Sequence, residues 1–196
     1  MTPVYCYTDY PEGELFVNGK SQGRVRKVKE TAGQWKPENR LDRYRLRWNN
    51  VVYEPGEVKV VVYDEQGRKA GEQTIRTAGQ PANLKLDVWT QHSDLSPLKS
   101  DGQDLAFITV SLVDADGTLI PDAADQLRFE VEGAGTFRAV CNGDATSLEP
   151  FTTPTMRLFN GQLVVIVQAG YRPGPLTLKV IDDQRHLTQQ VTIDVK

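Results

Sequence analysis

Histidine and cysteine, the side chains that most often bind transition metals, are scarce in this sequence, with two of each among 196 residues. Cys6 and Cys141 are far apart in the chain, and two isolated cysteines do not form a disulfide framework. No Cys-x-x-Cys, His-x-x-x-His or His-Glu-x-x-His spacing occurs, so the sequence offers no ligand set for zinc. We therefore expect buried free thiols, no metal site and no cofactor.

Long apolar runs are also missing. No stretch of about 18 apolar residues occurs, so we expect no membrane-spanning helix. The first residues, "MTPVYCYTDYPEG", lack the basic and apolar regions of a signal peptide and enter a strand-like pattern at once. This start favours a piece of a longer chain with Met1 added for expression. A natural protein that begins at a strand is the alternative.

Charge is distributed unevenly around a formal net value of −3. Residues 1–80 contain 14 Lys/Arg and 11 Asp/Glu, a balance of +3, whereas residues 81–196 contain 9 and 15, a balance of −6. The basic residues concentrate in "RVRKVK" (24–29) and "RLDRYRLR" (40–47), where alternation with apolar residues places them on the solvated face of a strand. The acidic second half and the lack of a nucleic-acid-binding motif argue against a nucleic-acid partner.

Strand patterns dominate what remains, and helix patterns are rare. The segments are short, rich in β-branched and aromatic residues, and mostly alternating. In the first part they are "VYCYT" (4–8), "GELFVN" (13–18), "YRLRW" (44–48), "EVKVVVYD" (57–64) and "EQTIRT" (72–77). In the second part they are "LKLDVW" (84–89), "LAFITVSLVD" (105–114), "LRFEVEG" (127–133), "GTFRAV" (135–140), "QLVVIVQA" (162–169), "LTLKVID" (176–182) and "TQQVTIDV" (188–195). The chain is therefore predicted to be all-β.

Turn-forming residues separate these segments. Asn18-Gly19 suits the two central positions of a type I′ hairpin turn, because both positions need a positive φ. Pro55-Gly56 suits the centre of a type II turn. Asn142-Gly143-Asp144 is predicted to shape a loop. These residues are interpreted as structural.

Two tandem immunoglobulin-like β-sandwich domains fit the spacing of the strands. The stretch "TAGQPANLKL" (77–86) interrupts the pattern and is interpreted as a linker with the boundary near residue 80. Residues 1–80 then form the smaller sandwich. Residues 81–196, with seven strands, form the second.

Candidate catalytic and metal-binding residues each have a simpler interpretation. His92 and His186 lie in no recognisable catalytic motif and are expected at the surface. Asp114, Asp116 and Gly117 resemble the start of a calcium loop, but the further ligands and the final Glu of an EF-hand are missing, so a hairpin turn is favoured. Paired carboxylates of a glycosidase would need a cleft that small, filled sandwiches rarely provide.

Aromatic side chains raise the question of sugar stacking. Tyr44, Leu46 and Trp48 share one side of an alternating strand and are expected in the core. Trp35 follows a stretch of weak pattern and is predicted to lie in a loop, where an exposed aromatic could bind carbohydrate. Tyr53 is the second candidate for a carbohydrate-binding residue.

Two blocks of the sequence resemble a known family. The segments "GELFVNGKSQG" (13–23) and "DRYRLRWNNVVYEPGEVKVVVYDEQGRKAGEQTIRTAGQP" (42–81) resemble the immunoglobulin-like domain that follows the catalytic barrel in bacterial β-galactosidases of glycoside hydrolase family 2. Residues 100–151 are similar to the final sandwich of the same enzymes, and Bacteroides-type members are the nearest likeness. The order of "LFVNGKSQG", "WNNVVYEPGE", "DLAFITVSLVDADG" and "NGD" is more specific than any single block. Cys141 departs from the small residue expected before "NGD".

The resemblance implies a non-catalytic role. In this family the catalytic glutamates lie on a barrel that precedes these domains, so no catalytic residue is carried over to any position here. The implied partners are the catalytic barrel and other domains of a β-galactosidase in the same chain, and the implied location of that parent is periplasmic or exported. A carbohydrate-binding module that holds the enzyme on a glycan through Trp35 and Tyr53 is the alternative, and a surface adhesion tandem is a third.

Overall fold

A computed structural model of the chain describes residues 1–27, 41–90 and 97–196. The chain divides into two compact units, Met1–Thr77 and Ala78–Lys196. All regular secondary structure in the described ranges is β-strand, which confirms the all-β prediction. Within the same ranges, no helix has the length and apolar character needed to cross a membrane.

In its described residues, 1–27 and 41–77, the first unit contains six strands that form two sheets. Strands β2, β3, β5 and β6 form an antiparallel sheet in the order β3-β2-β5-β6, and β1 pairs with β4. The two sheets share one core, in which Leu15 and Val62 from the larger sheet pack with Leu46 and Trp48 from the pair. The strand bounds are β1 (Thr2–Tyr7), β2 (Glu12–Val17), β3 (Lys20–Arg26), β4 (Arg45–Val51), β5 (Glu57–Tyr63) and β6 (Lys69–Arg76).

Side-chain alternation in β4 follows the sequence pattern only from Arg45 onward. Leu46 is 1% exposed and Trp48 is 4% exposed, and the Trp48 indole N–H donates to the carbonyl of Gly23 at 2.8 Å. The prediction that Tyr44 joins them in the core is wrong, because Tyr44 is 54% exposed. Tyr44 precedes the first residue of β4, in the turn that begins at Leu41, so the alternation of the strand does not extend to it.

The second unit is a sandwich of two four-stranded antiparallel sheets. One sheet has the order β10-β12-β8-β7 and the other β11-β9-β13-β14. Their facing side chains, such as Ile108 and Val165 from the first sheet and Phe129 and Leu178 from the second, form one buried cluster. The strand bounds are β7 (Asn83–Thr90), β8 (Leu105–Val113), β9 (Gln126–Gly133), β10 (Gly135–Cys141), β11 (Thr155–Arg157), β12 (Gln162–Ala169), β13 (Gly174–Asp182) and β14 (Leu187–Val195).

Two features of this unit differ from the sequence interpretation. The segment interpreted as linker, 77–86, already contains the first residues of β7, and Leu84 within it is buried in the core. The three-residue strand β11 has no counterpart among the predicted strands, although its Met156 is fully buried. Three residues are too few to produce a recognisable alternation.

The two cysteines belong to different units and are both free and partly buried. Cys6 lies on the inner side of β1, against the core of the first unit. Burial raises the pKa of the Cys6 thiol, and the charge of Lys27 opposes that rise. The prediction of free thiols is confirmed for both residues.

Candidate functional site

The turn at Asn18-Gly19 connects β2 to β3, and both residues have a positive φ, 48° and 78°. The Asn18 side chain extends to a second turn. Its Nδ2 donates to the carbonyl of Pro55 at 3.1 Å, and its Oδ1 accepts from the backbone N–H of Glu57 at 2.7 Å. The Asn18 backbone N–H also donates to the Glu57 carbonyl at 2.8 Å. Asn18 therefore joins the β2–β3 turn to the segment between β4 and β5.

Gly56 lies between Pro55 and Glu57, the two residues that the Asn18 side chain binds. Its φ of 135° exceeds the roughly +80° of an ideal type II turn. A Cβ at this position would lie 2.0 Å from Asn18 Oδ1. The Gly56 N–H donates to Thr77 Oγ1 at 3.0 Å, and the Gly56 carbonyl accepts from the Thr77 N–H at 2.8 Å. Only glycine leaves room for the Asn18 amide here.

Of the two predicted carbohydrate-binding residues, Tyr53 is the one that the structure describes. It lies next to Thr77, which also binds Gly56. Its side chain is 65% exposed, and its hydroxyl is 3.3 Å from Thr77 Oγ1. The phenol is thus anchored at the hydroxyl with its ring accessible, which is compatible with stacking against a sugar. Trp35 lies outside the described residues, so its predicted role stays a prediction.

The Asn142-Gly143-Asp144 loop follows β10. Asn142 Nδ2 donates to the Arg157 carbonyl of β11 at 3.0 Å, and Asn142 Oδ1 accepts from the Asp144 N–H at 3.0 Å. Gly143 has a φ of 78°. The hydroxyl and the backbone N–H of Thr146 both donate to Asp144 Oδ1, and these bonds lower the pKa of that carboxyl. The loop ties β10 to β11 through its side chains.

A polar cleft of about 550 Å³ opens in the first unit, and the sequence analysis did not identify it. Its lining combines three basic side chains, three carboxylates and one aromatic ring. These residues come from the loop between β1 and β2, the end of β3, the turn before β4 and the turn after β5. They are Asp9, Tyr10, Pro11, Arg26, Lys27, Arg43, Asp64, Glu65 and Gln66.

Several charged groups of the cleft are paired with other groups of the chain. Arg26 Nη2 is 2.5 Å from Glu65 Oε2, and the Lys27 ammonium donates to the Thr8 carbonyl. Asp64 accepts from the backbone N–H groups of Arg68 and Gln66, both at 2.9 Å, and these bonds lower the pKa of its carboxyl. A general acid needs a raised pKa. Asp64 has the opposite shift, which argues against proton donation by this carboxyl.

The Asp114 segment is a turn in the structure. Asp114 Oδ1 accepts from the N–H groups of Asp116 at 3.0 Å and Thr118 at 2.8 Å, while Oδ2 accepts from Gly79 at 2.7 Å. The Gly79 bond is the main reason that the pKa of Asp114 is lowered. Among residues 1–27, 41–90 and 97–196, no three His, Cys, Asp or Glu side chains are arranged to hold a metal ion.

The remaining candidate residues are the two histidines and Trp89. His186 is exposed in the turn between β13 and β14 with a φ of 57°, and His92 lies outside the described residues. Trp89 on β7 is 53% exposed and packs beside Phe107 with ring centroids 5.4 Å apart. Trp89 alternates with the inward-facing Leu84, Leu86 and Val88 and shares the outer face of β7 with Lys85 and Asp87.

Comparison with known families gives a match for each unit. Residues 90–191 match the glycoside hydrolase family 2 C-terminal domain 5, and residues 1–71 match a domain of unknown function.

Individual relatives agree with the first of these matches. A β-galactosidase of Bacteroides ovatus is 39% identical over 89% of this chain, which covers 18% of that protein. A β-glucuronidase of Formosa agariphila is 30% identical over 71% of this chain, covering 12% of its length. The crystal structure of a glycosyl hydrolase family 2 member from Bacteroides cellulosilyticus superposes with a TM-score of 0.85 at 27% identity, over 99% of this chain and 23% of that one. The chain thus spans less than a fifth of the length of these two curated relatives.

Proposed function

Because the chain belongs to glycoside hydrolase family 2, as its sequence blocks indicated, we propose that it is a non-catalytic region of a larger β-galactosidase. The observation that carries this proposal is the 39% identity over 89% of the chain to a β-galactosidase of which it covers only 18%. A second curated relative, a β-glucuronidase, is less similar at 30% identity. A β-galactoside is therefore the favoured substrate class of the parent.

The interior of each unit supports a structural role. Both cores are filled with aliphatic and aromatic side chains, so each unit is a rigid body whose surface loops are held at low entropic cost. We propose that these units pack against the catalytic barrel and other domains of the parent enzyme. Their function there is to stabilise the assembly and to shape access to the active site.

Carbohydrate binding is the second candidate function. It is supported by the accessible ring of Tyr53, with its hydroxyl next to Thr77, and by the polar cleft that contains Tyr10. Weak affinity at one such site would be compensated by the high local concentration of sugar units on a polysaccharide.

Hydrolysis assays test the main proposal. The isolated chain is expected to release no aryl alcohol from aryl-β-galactosides or aryl-β-glucuronides. In the parent enzyme, the cleft variants Asp9→Asn and Glu65→Gln are expected to leave kcat unchanged, because these carboxylates are assigned no catalytic step. Turnover by the isolated chain that persists through repurification, or a large loss of kcat in either variant, would contradict a non-catalytic role.

A further inference from the structure

The outward face of the β1–β4 pair carries two tyrosines and two arginines. Residues Val4, Cys6, Leu46 and Trp48 of these strands pack against the core, so the alternate residues point outward. Tyr7 lies directly opposite Arg45, and Tyr5 lies directly opposite Arg47. We call Tyr5, Tyr7, Arg45 and Arg47, together with Asp42 beside them, the tyrosine–arginine face.

Arg45 is fixed in place within this face. Its Nε donates to Asp42 Oδ1 at 3.1 Å, and its guanidinium lies 4.2 Å from the centre of the Tyr5 ring. Its Nη1 lies 3.5 Å from the Tyr7 hydroxyl, and only 12% of its side chain is exposed. Arg45 therefore contacts both tyrosines and helps to fix their positions.

Arg47 is held far more loosely. Its contact with Asp42 spans 3.8 Å from Nη1 to Oδ2, beyond hydrogen-bond distance, and 38% of its side chain is exposed. Among the residues that the structure describes, Asp42 is the only carboxylate paired with the two guanidinium groups, so the described part of the face has an excess positive charge. The forked donors of Arg47 are thus available to a carboxylate from outside the chain.

Tyr7 supplies the second element of a binding site. Its side chain is 68% exposed, although its hydroxyl is near Arg45. Tyr7 and Arg47 are diagonal neighbours across the strand pair, a relation that places their positions on the strands about 7–8 Å apart, within reach of aromatic and long side chains. A pyranose ring lying on the tyrosine can therefore direct its carboxylate toward the arginine.

From this geometry we propose that the tyrosine–arginine face binds a uronic acid unit of an acidic glycan. Arg47 binds the sugar carboxylate through two parallel hydrogen bonds, and the Tyr7 ring stacks on the apolar face of the pyranose. Arg45 and Tyr5 position these two groups without touching the carboxylate. The site includes neither Tyr53 nor any residue that lines the polar cleft, and it goes beyond the proposed role in the parent enzyme because it assigns a ligand class to this region itself.

Calorimetric titration of the full 196-residue chain tests the proposal. Trigalacturonic acid is compared with the neutral galactotriose. Binding of trigalacturonic acid is expected to be saturable, to weaken as salt is added, and to be about tenfold or more tighter than that of the neutral trimer. Equal affinity for the two trimers, or no binding of the acidic one, would overturn the proposal.

Variants assign the interaction to individual residues. Arg47→Gln is expected to abolish the preference for the acidic trimer, whereas Arg47→Lys keeps the charge but loses the fork and should give an intermediate affinity. Arg76→Gln, on β6 of the same unit, is the matched control, because Arg76 is an exposed arginine paired with Glu57 at 2.8 Å outside the face. Unchanged binding by folded Arg47→Gln, or equal losses in Arg47→Gln and Arg76→Gln, would refute the assignment.

A final comparison separates a sugar from a protein carboxylate. Tri-glutamate has carboxylates but no pyranose ring. Tyr7→Ala is expected to weaken binding of trigalacturonic acid and to leave the weak, salt-sensitive binding of tri-glutamate unchanged. Tri-glutamate binding as tight as that of the acidic sugar would overturn the glycan assignment and indicate an acidic protein segment as the partner.

Discussion

At the scale of single residues, the contact between Asn18 and Gly56 constrains two turns at once. The Asn18 amide satisfies backbone groups of Pro55 and Glu57 in a segment 37–39 residues further along the chain. The sequence motifs predicted each turn separately. The bond between the turns could not be predicted, because it depends on the pairing of β2 with β5, which brings Val17 opposite Val58.

Substitution of Gly56 by alanine is expected to destabilise the first unit more than substitution of Gly19. Both glycines have a positive φ: the 78° of Gly19 lies near the left-handed region, where an alanine costs about 1–2 kcal/mol, whereas the 135° of Gly56 lies outside it and strains an alanine more. Nothing lies within 4 Å of a Cβ on Gly19, whereas a Cβ on Gly56 displaces Asn18 Oδ1. Losing the two Asn18 bonds adds roughly 0.5–1.5 kcal/mol for each bond. Urea unfolding of Gly56→Ala and Gly19→Ala measures the difference.

The Asn18→Gly background provides the control for this comparison. Without the amide the contact with Asn18 is lost, so the excess cost of Gly56→Ala over Gly19→Ala should be smaller in this background than in the native sequence. An excess of the same size in the Asn18→Gly background would show that backbone strain, and not the contact with Asn18, requires glycine at position 56.

At the scale of strands, alternation and turn chemistry identified most of the strands. The three-residue strand β11 and the surfaces that combine several strands were missed. β8, β12 and β13 are long and strongly patterned, and the sequence located them closely. Tyr44 was placed in the core because its strand begins one residue later than the pattern suggested. The cleft and the tyrosine–arginine face require knowing which strands are neighbours, and periodicity within one strand does not contain that information.

Strand β11 should contribute more to stability than its three residues suggest. Met156 is 0% exposed and lies in the core of the second unit, held there by the pairing of β11 with β9. Met156→Ala is expected to cost about 2–5 kcal/mol, the range for removing a large buried side chain. Thermal unfolding monitored by circular dichroism measures the loss. The exposed neighbour Arg157→Ala is the control, and an equally small effect of both variants would show that β11 is not part of the cooperative core.

At the scale of the whole molecule, each unit has its own core and its own set of ordered carboxylates. Among the described residues, six carboxyl groups have a lowered pKa because backbone N–H groups, hydroxyls or cationic side chains bind the ionised form. They are Asp64, Glu72, Asp101, Asp114, Glu130 and Asp144. The ionised form of these groups therefore stabilises the folded chain.

Acid is expected to destabilise the protein through these groups. Because each pKa is lower in the folded than in the unfolded chain, the stabilisation is complete above the unfolded value, about 4 for aspartate, and is lost as the pH falls through the folded value. Asp114→Asn should be less stable at neutral pH, and its free energy of unfolding should fall less steeply with acid. Urea unfolding at pH 7 and pH 3 measures both effects. The exposed Asp116→Asn is the control, and an unchanged acid slope in Asp114→Asn would contradict the assignment.

The two free cysteines make each unit observable by itself. Cys6 and Cys141 are the only thiols of the chain, one in each unit, and both are partly buried. A thiol reacts as the thiolate and only when a reagent can reach it. Because both thiols are only partly buried, the rate of alkylation at each position reports how easily a reagent reaches that side of its unit, without an added probe. Cys6 lies between Tyr5 and Tyr7 on β1 and faces the opposite side of the strand. A ligand that binds the tyrosine–arginine face and stabilises β1 would slow alkylation at Cys6, and the rate at Cys141 would serve as the internal reference.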